Sequence, residues 1–257
     1  LDRSIRSIRK TIGLDFEILS SFQSSQFGLS KIYNELALQA KYDNIIFMHD
    51  DLFFESLNWG NRVINILNNH SIGLVGLMGS IFKSKHTSIW TACDSSLYRN
   101  STTSTFHDFS EVAIVDGCFL AMRKNVFQSH RFDENLLGFH GYDLDISLNI
   151  IRRLKVVIAN NIIFSHLSNG CKSKNWFEDV TYIHSKWESF LPVSVENVTK
   201  SARQFSDYLS LMDQFNSTNR FHKNKQMLFI LYFKMLIKYF RFNKLRHSKQ
   251  IMKSLFS

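Results

Sequence analysis

Residues 45–54 read IIFMHDDLFF, an apolar run that ends in His49, Asp50 and Asp51 before turning apolar again. Short apolar runs of this kind predict a buried strand. The three polar side chains then sit at its carboxyl end, the edge at which open α/β sheets bind ligands. Carboxylates at such an edge suit a hard divalent ion, Mn2+ or Mg2+, which prefers oxygen and bridges to phosphates. The same residues also fit a strand end that simply turns polar and caps the next element.

Helix and strand patterns alternate on both sides of this segment. Upstream, residues 2–12 place Ile5, Ile8 and Ile12 on one helical face, and 14–19 (LDFEIL) alternate like a strand. Gly28 to Lys41 predict a helix whose inner side carries Leu29, Ile32, Tyr33, Leu36 and Ala40. Downstream, 60–69 and 143–153 read as helices, and 73–77 (GLVGL) as a strand. Residues 111–122 (EVAIVDGCFLAM) read as a strand with a glycine break, and 155–166 (KVVIANNIIFSH) as one buried strand ending in His166. Residues 80–110 are rich in Ser, Thr and His with little periodicity, and 167–180 read as a polar loop. This alternation predicts an α/β fold, helices flanking a mostly parallel sheet.

Three more places carry groups suited to chemistry. In GFHGYDLDISL (138–148), Asp143 and Asp145 precede an amphipathic helix beside His140 and Gly141. Acids are stabilised in a helix's first turn, so capping explains them as readily as chemistry does. As chemistry, Asp143 is the candidate general base and Asp145 a packing partner. In IIFSHLSNG (162–170), His166 ends a strand as His49 does, either as a third metal ligand or as a half-exposed strand-end histidine. Gly170 would let the following loop turn close to a phosphate. In VDGCFLAMRKNVF (115–127), Asp116-Gly117 interrupts an apolar strand, which marks a close approach of ligand or backbone, or a simple bulge.

The net charge of +9 is not spread over the 257 residues. Residues 214–257 hold 10 Lys and Arg and no acid, whereas the remaining 21 basic residues face 22 acidic ones. A neutral body without a nucleic-acid-binding module argues against a nucleic-acid partner. Residues 227–237 (MLFILYFKMLI) are apolar at ten of eleven positions, too short to span a bilayer. Lys234, Lys238, Arg241 and Lys244 follow at helical spacing beside an apolar face, with Lys249 and Lys253 beyond. That pattern suits an in-plane helix on an anionic membrane surface, with packing on the body or on a second copy in a homodimer as the alternative. Cys93, Cys118 and Cys171 form no CxxC pair, and read as free thiols in a reducing compartment.

Taken in order, these motifs resemble the bacterial family 2-like glycosyltransferases with the GT-A fold. FMHDDL (47–52), VDGCFLAMRK (115–124), FDENLLGFHGYDLDISL (132–148) and HLSNG (166–170) stand in that family's sequence, and SKIYNELALQAKYDNIIF (30–47) resembles its helix leading into the DxD strand. The resemblance runs from about residue 1 to about 190. It implies a single GT-A mixed sheet flanked by helices as a catalytic domain over 1–213, with 214–257 as a basic amphipathic helical tail. The family's opening strand, which contacts the nucleotide base, has no counterpart before Arg3, so the chain is expected to lack it.

Carried over by position, His49-Asp50-Asp51 stands at the DxD site. Asp51 is then a metal ligand, Asp50 faces the ribose or diphosphate, and His49 and His166 complete the metal site. Asp116-Gly117 resembles the wall between donor and acceptor, and Asp143 the catalytic base, with Tyr142 where many members have Glu. The implied activity is an inverting, metal-dependent transfer from a nucleotide-sugar to a saccharide or lipid-linked saccharide acceptor, in bacterial surface polysaccharide synthesis. The implied place is cytoplasmic, peripheral on the inner face of the plasma membrane. The 84–107 segment and Trp176 would form acceptor loops, or else surface loop and core. Two other classes use the same features. A metal-dependent phosphohydrolase would use His49, Asp50, Asp51 and His166 with water as acceptor, and a non-catalytic membrane-recruited binding module would keep the tail without a metal.

Overall fold

A computed structural model describes residues 2–21, 28–88, 107–167, 172–195 and 198–238. In chain order its elements are α1 (Asp2–Thr11), α2 (Leu29–Gln39), β1 (Asn44–Met48), β2 (Leu52–Phe54), α3 (Trp59–Leu67), β3 (Ile72–Gly76), β4 (Gly79–Ser80), β5 (Phe82–Lys83), β6 (Phe109–Val112) and β7 (Ile114–Val115). These are followed by β8 (Phe119–Arg123), α4 (Lys124–Ser129), α5 (Tyr142–Ile150), β9 (Lys155–Ala159), β10 (Phe164–His166), α6 (Lys174–Lys186), β11 (Val193–Ser194), α7 (Lys200–Phe221) and α8 (Lys225–Lys238). They form two compact units, one of residues 1–81 with 94–171 and one of residues 82–93 with 172–257.

The first unit is built on a sheet of order β1-β8-β3-β9-β6. It is mixed, not mostly parallel. β1, β3 and β9 run in one direction, as strand–helix alternation implies. β8 enters between β1 and β3 in the opposite sense, and β6 pairs antiparallel with the far side of β9. β6 and β8 run in the same sense, and the turn at Asp116–Gly117, the glycine break noted in the sequence, leads the chain from β7 into β8. The central strands β3, β8 and β9 bury Leu74, Val75, Phe119, Leu120, Val156 and Val157 almost completely, each large side chain contributing about 1.5–3 kcal/mol by burial. Trp59 stacks on Phe54 at 4.1 Å within this core.

Several sequence expectations change here for identifiable reasons. LDFEIL (14–19) has the strand period but pairs with no strand among the described residues; Leu14 and Phe16 pack on the core from an irregular segment. KVVIANNIIFSH is two strands in two sheets, broken at Asn160–Asn161, where Asn161 adopts a left-handed φ of 60° that asparagine tolerates. Of the polar loop expected over 167–180, residues 174–180 belong instead to α6, which Ser173 starts by accepting a hydrogen bond from the Trp176 amide at 3.1 Å. On α2 the buried stripe is Ser30, Tyr33, Asn34 and Ala37, rotated from the apolar face that periodicity selects. Asn34 turns inward because its amide clamps both backbone groups of Phe132 (3.0 and 3.1 Å) and bonds to Glu134 at 2.9 Å. Buried backbone groups left without such a partner cost about 1–3 kcal/mol each.

A small second sheet places His166. β10 pairs antiparallel with β2, and His166 lies opposite Leu52, the residue after Asp51. The other edge of β2 is met by side chains of α1. Ser4 Oγ donates to the Leu52 carbonyl at 2.8 Å, while Ser7 Oγ donates to the Phe54 carbonyl and accepts from its amide. This edge is therefore satisfied by a helix instead of a third strand.

In the second unit, β5 pairs with β11, and the 82–88 segment is held by polar contacts. Ser84 donates to Asp207 at 2.6 Å, Gln214 to Thr87 at 3.2 Å, and His184 lies 3.1 Å from the Lys85 carbonyl. α7 and α8 pack through Tyr208, Leu211, Phe215, Leu228, Leu231 and Met235. The expected boundary after residue 213 falls inside α7. Trp176 is 5% exposed against Phe177, Val180 and Phe221, so it is a core residue and offers no face to a sugar. Cys118 is free and buried. Cys93, Cys171, Gly170, most of the 84–107 segment, and the basic residues from Arg241 to Lys253 lie outside the described residues.

Candidate active site

Three chain segments of the first unit meet at the carboxyl end of β1. His49 continues the β1–β8 ladder, its amide donating to the Cys118 carbonyl at 2.9 Å. Asp51 lies in the turn into β2, and pairing of β2 with β10 brings His166 alongside. His166 Nε2 is 3.2 Å from Asp51 Oδ1 and 3.4 Å from His49 Nδ1. All three residues offer ligand atoms within 4.8 Å of one another. Burial holds the His49 imidazole below the ordinary histidine value, and nearby Asp116 partly opposes that shift. A neutral imidazole is the form that can offer a lone pair to a metal.

The second half of the site is the start of α5. Gly141 precedes it in the left-handed region with φ 78°, which lets the chain turn sharply into the helix. The sequence suggests an amphipathic helix, yet every residue from Tyr142 to Leu148 is buried. Two of its polar members, Asp143 and Ser147, bond to the neighbouring Asp116–Gly117 turn and to β7. Asp143 Oδ2 accepts from the Gly117 amide at 3.0 Å, and Oδ1 from the Leu144 amide at 2.9 Å. Ser147 donates to the Asp143 carbonyl and accepts from the Val115 amide. Asp116 Oδ1 accepts from the Cys118 amide at 2.8 Å, which fixes the turn itself.

Burial pushes the Asp143 carboxyl up to about 7, and the Asp116 charge adds to this, while the amides of Leu144 and Gly117 oppose it. Such a carboxylate exchanges a proton near neutrality, whereas an ordinary one stays ionised. Asp145 is 1% exposed and is part of the packed helix.

A family model described as "Glycosyltransferase like family" matches residues 2–184. The chain belongs to this glycosyltransferase-like family. The match covers every site residue named above and ends before α7. A comparison with curated proteins found no match. Among solved structures, the chain is similar to "Crystal structure of GalNAc-T7 with UDP, GalNAc and Mn2+", at 13% identity and a TM-score of 0.46, over 63% of this chain. It spans 36% of that chain's length.

Within this glycosyltransferase-like unit, His49, Asp51 and His166 come together as one cluster, and Gly117 and Asp143 as a second, bonded pair. Asp50 is exposed in the turn between His49 and Asp51. Two residues have roles that the sequence does not disclose. Asn34 ties α2 to the 132–134 segment. The Tyr142 hydroxyl stands 2.8 Å from His49 Nε2 and 3.0 Å from the Gly117 carbonyl, joining the two halves of the site. The only trace of Tyr142 in the sequence is its place beside Asp143. Gly117 is required by that contact, because a Cβ there would lie 2.4 Å from the Tyr142 hydroxyl. The close approach that a strand glycine implies is therefore to a side chain.

Proposed function

We propose that the chain transfers a glycosyl group from a nucleotide-sugar donor to a hydroxyl of a saccharide or lipid-linked saccharide acceptor, with inversion, in surface polysaccharide synthesis. The observation that carries this reading is a metal-capable His-Asp-His cluster joined through Tyr142 and Gly117 to a buried carboxylate with a raised pKa, within a glycosyltransferase-like chain.

In the proposed step Asp143 takes the proton from the acceptor hydroxyl. The acceptor oxygen forms its bond to the anomeric carbon from the face opposite the donor's diphosphate. The bond from that carbon to the phosphate oxygen breaks, and its electron pair leaves with the nucleoside diphosphate. Each Asp143 oxygen accepts one backbone N–H and keeps a further lone pair for the proton. Asp50, Asp51, Asp116 and Gly117 line the donor side, and the turn at Asp116–Gly117 separates donor from acceptor.

The donor set fits a divalent ion. Ligands about 2.0–2.2 Å from an ion and at right angles lie about 3 Å apart. The two closest pairs in the cluster are 3.2 and 3.4 Å apart. Two imidazoles with one carboxylate favour Mn2+ over Mg2+, which prefers oxygen throughout. The chemistry supplied by an ion held by His49, Asp51 and His166 is neutralisation of charge on the leaving diphosphate. A screen of nucleotide-sugars with Mn2+ and saccharide acceptors tests the whole reading. Acceptor-dependent release of nucleoside diphosphate is expected. Release of free sugar at the same rate without acceptor would assign the site to a hydrolase.

We further propose that the C-terminal helix holds the enzyme on the anionic cytoplasmic leaflet. α8 packs one face on α7 and leaves Phe229, Ile230, Phe233 and Ile237 exposed. Along the adjacent i+4 row Ile230 is followed by exposed Lys234 and Lys238, and residues 214–257 contain no acid. No described helix is long and apolar enough to cross a membrane, which suits in-plane docking. Each basic residue near an anionic surface contributes about 1 kcal/mol. The chain is expected to float with phosphatidylserine vesicles at low salt and less so at high salt. Absence from the vesicle fraction at both salts would make the exposed face a contact between protein copies.

A further inference from the structure

We infer that Tyr142 is a positioning residue that fixes the tautomer of His49, so that Nδ1 presents its lone pair to His166 and Asp51. The inference rests on reading His49, Asp51 and His166 as the metal site. It follows from counting protons on one hydroxyl. The Tyr142 oxygen has two hydrogen-bond neighbours: the Gly117 carbonyl at 3.0 Å and His49 Nε2 at 2.8 Å. It has one proton to donate and two lone pairs.

A carbonyl can only accept, so the Tyr142 proton goes to Gly117. The lone pairs are left for donors, and His49 must then carry its proton on Nε2. In a neutral imidazole the other nitrogen is unprotonated. That nitrogen is Nδ1, the atom 3.4 Å from His166 Nε2 in the cluster. The opposite tautomer would turn the Tyr142 proton toward His49. Two oxygens would then face each other at 3.0 Å with no proton between them, and the buried Gly117 carbonyl would lose this donor.

The ring that carries this hydroxyl cannot drift. Tyr142 is 3% exposed and packs edge-on against Tyr33 at 5.6 Å and against Phe132 at 6.0 Å. Gly117 leaves it room, since a Cβ there would displace the hydroxyl. A histidine ligand is commonly oriented by a hydrogen bond from its second nitrogen, and loss of that partner costs about 10–100-fold in metal affinity. Here the partner sits next to the proposed base, so one helix turn fixes both the ligand's tautomer and the position of Asp143.

The test reads the tautomer directly. Long-range 15N–1H correlation on metal-free, 15N-histidine-labelled protein, with the His49 signal assigned by its loss in His49→Gln, is expected to show protonation at Nε2. In Tyr142→Phe the ring is kept and the acceptor lost, so the His49 signal should move toward a mixture of tautomers. Mn2+ affinity by calorimetry should fall about 10–100-fold with an unchanged circular dichroism spectrum. His49 protonated at Nδ1 in the wild type, or Mn2+ affinity unchanged within twofold in folded Tyr142→Phe, would overturn the inference. If Tyr142→Phe fails to fold, the wild-type tautomer decides alone. Wild-type protein that binds no Mn2+ yet shows the Nε2 proton would overturn the metal site, leaving the Tyr142–His49 contact established.

Discussion

Asp143→Asn is expected to lower turnover at least about a hundredfold while nucleotide binding changes by no more than a few-fold. The carboxylate is the proposed acceptor of the substrate's proton, and an amide cannot take it. General-base assistance is commonly worth 10²–10⁴ in rate, so a hundredfold loss is the low end. Asn also replaces one of the two acceptors that Asp143 offers to the amides of Gly117 and Leu144, so a thermal melt must accompany the kinetics. The pH profile supplies a second signature. The base works ionised, and burial with the Asp116 charge raises its pKa to about 7. Wild-type kcat should therefore rise through pH 7 and level off above it, where an ordinary carboxylate would already be flat. The residual rate of Asp143→Asn should lack that rise. Full activity of a folded Asp143→Asn enzyme would move the base to Asp116, whose turn Asp143 supports.

The parts of this protein that were legible in the sequence are those dictated by short-range pattern. β1 reads as a strand because its apolar run has no polar interruption, and His49, Asp50 and Asp51 fall at its end for the same reason. The helix after Gly141 and the break at Gly117 are likewise local. What a single chain cannot disclose is which distant pieces share a hydrogen bond. His49 and His166 are 117 residues apart, and only the pairing of β10 with β2 makes them neighbours. The resemblance to a family placed them in one site, while the bonding partners had to come from the fold. LDFEIL failed for the converse reason: a strand period needs a partner strand to pair with. Asn34 was hidden because a polar residue on a helix reads as solvent-facing until a backbone such as that of Phe132 is found to need it. Tyr142 was hidden more completely. An aromatic residue at the start of a buried helix reads as packing, and only its hydroxyl, in contact with both His49 and Gly117, gives it a chemical role.

Asp51→Ala is expected to abolish the response to Mn2+ and to weaken donor binding by an order of magnitude or more, with the fold intact. Asp51 supplies the carboxylate of the cluster, and hard divalent ions depend on oxygen donors more than on nitrogen. Its removal leaves two imidazoles 3.4 Å apart with no anion between them and the donor's phosphates. His166→Ala should be milder, because the carboxylate and His49 remain and water can take the vacated position. The ranking of the two variants separates the proposed chemistry from a purely structural role. Asp51 sits in a turn and contributes no buried apolar surface, whereas His166 lies in the β2–β10 ladder. If the residues mattered only for folding, His166→Ala would be the more damaging change. The decisive measurement is donor affinity by calorimetry with Mn2+ and with excess EDTA for the wild type and both variants. Wild-type affinity should collapse in EDTA to the level that Asp51→Ala shows with metal. Turnover that persists in EDTA would instead require cationic side chains to stabilise the leaving diphosphate.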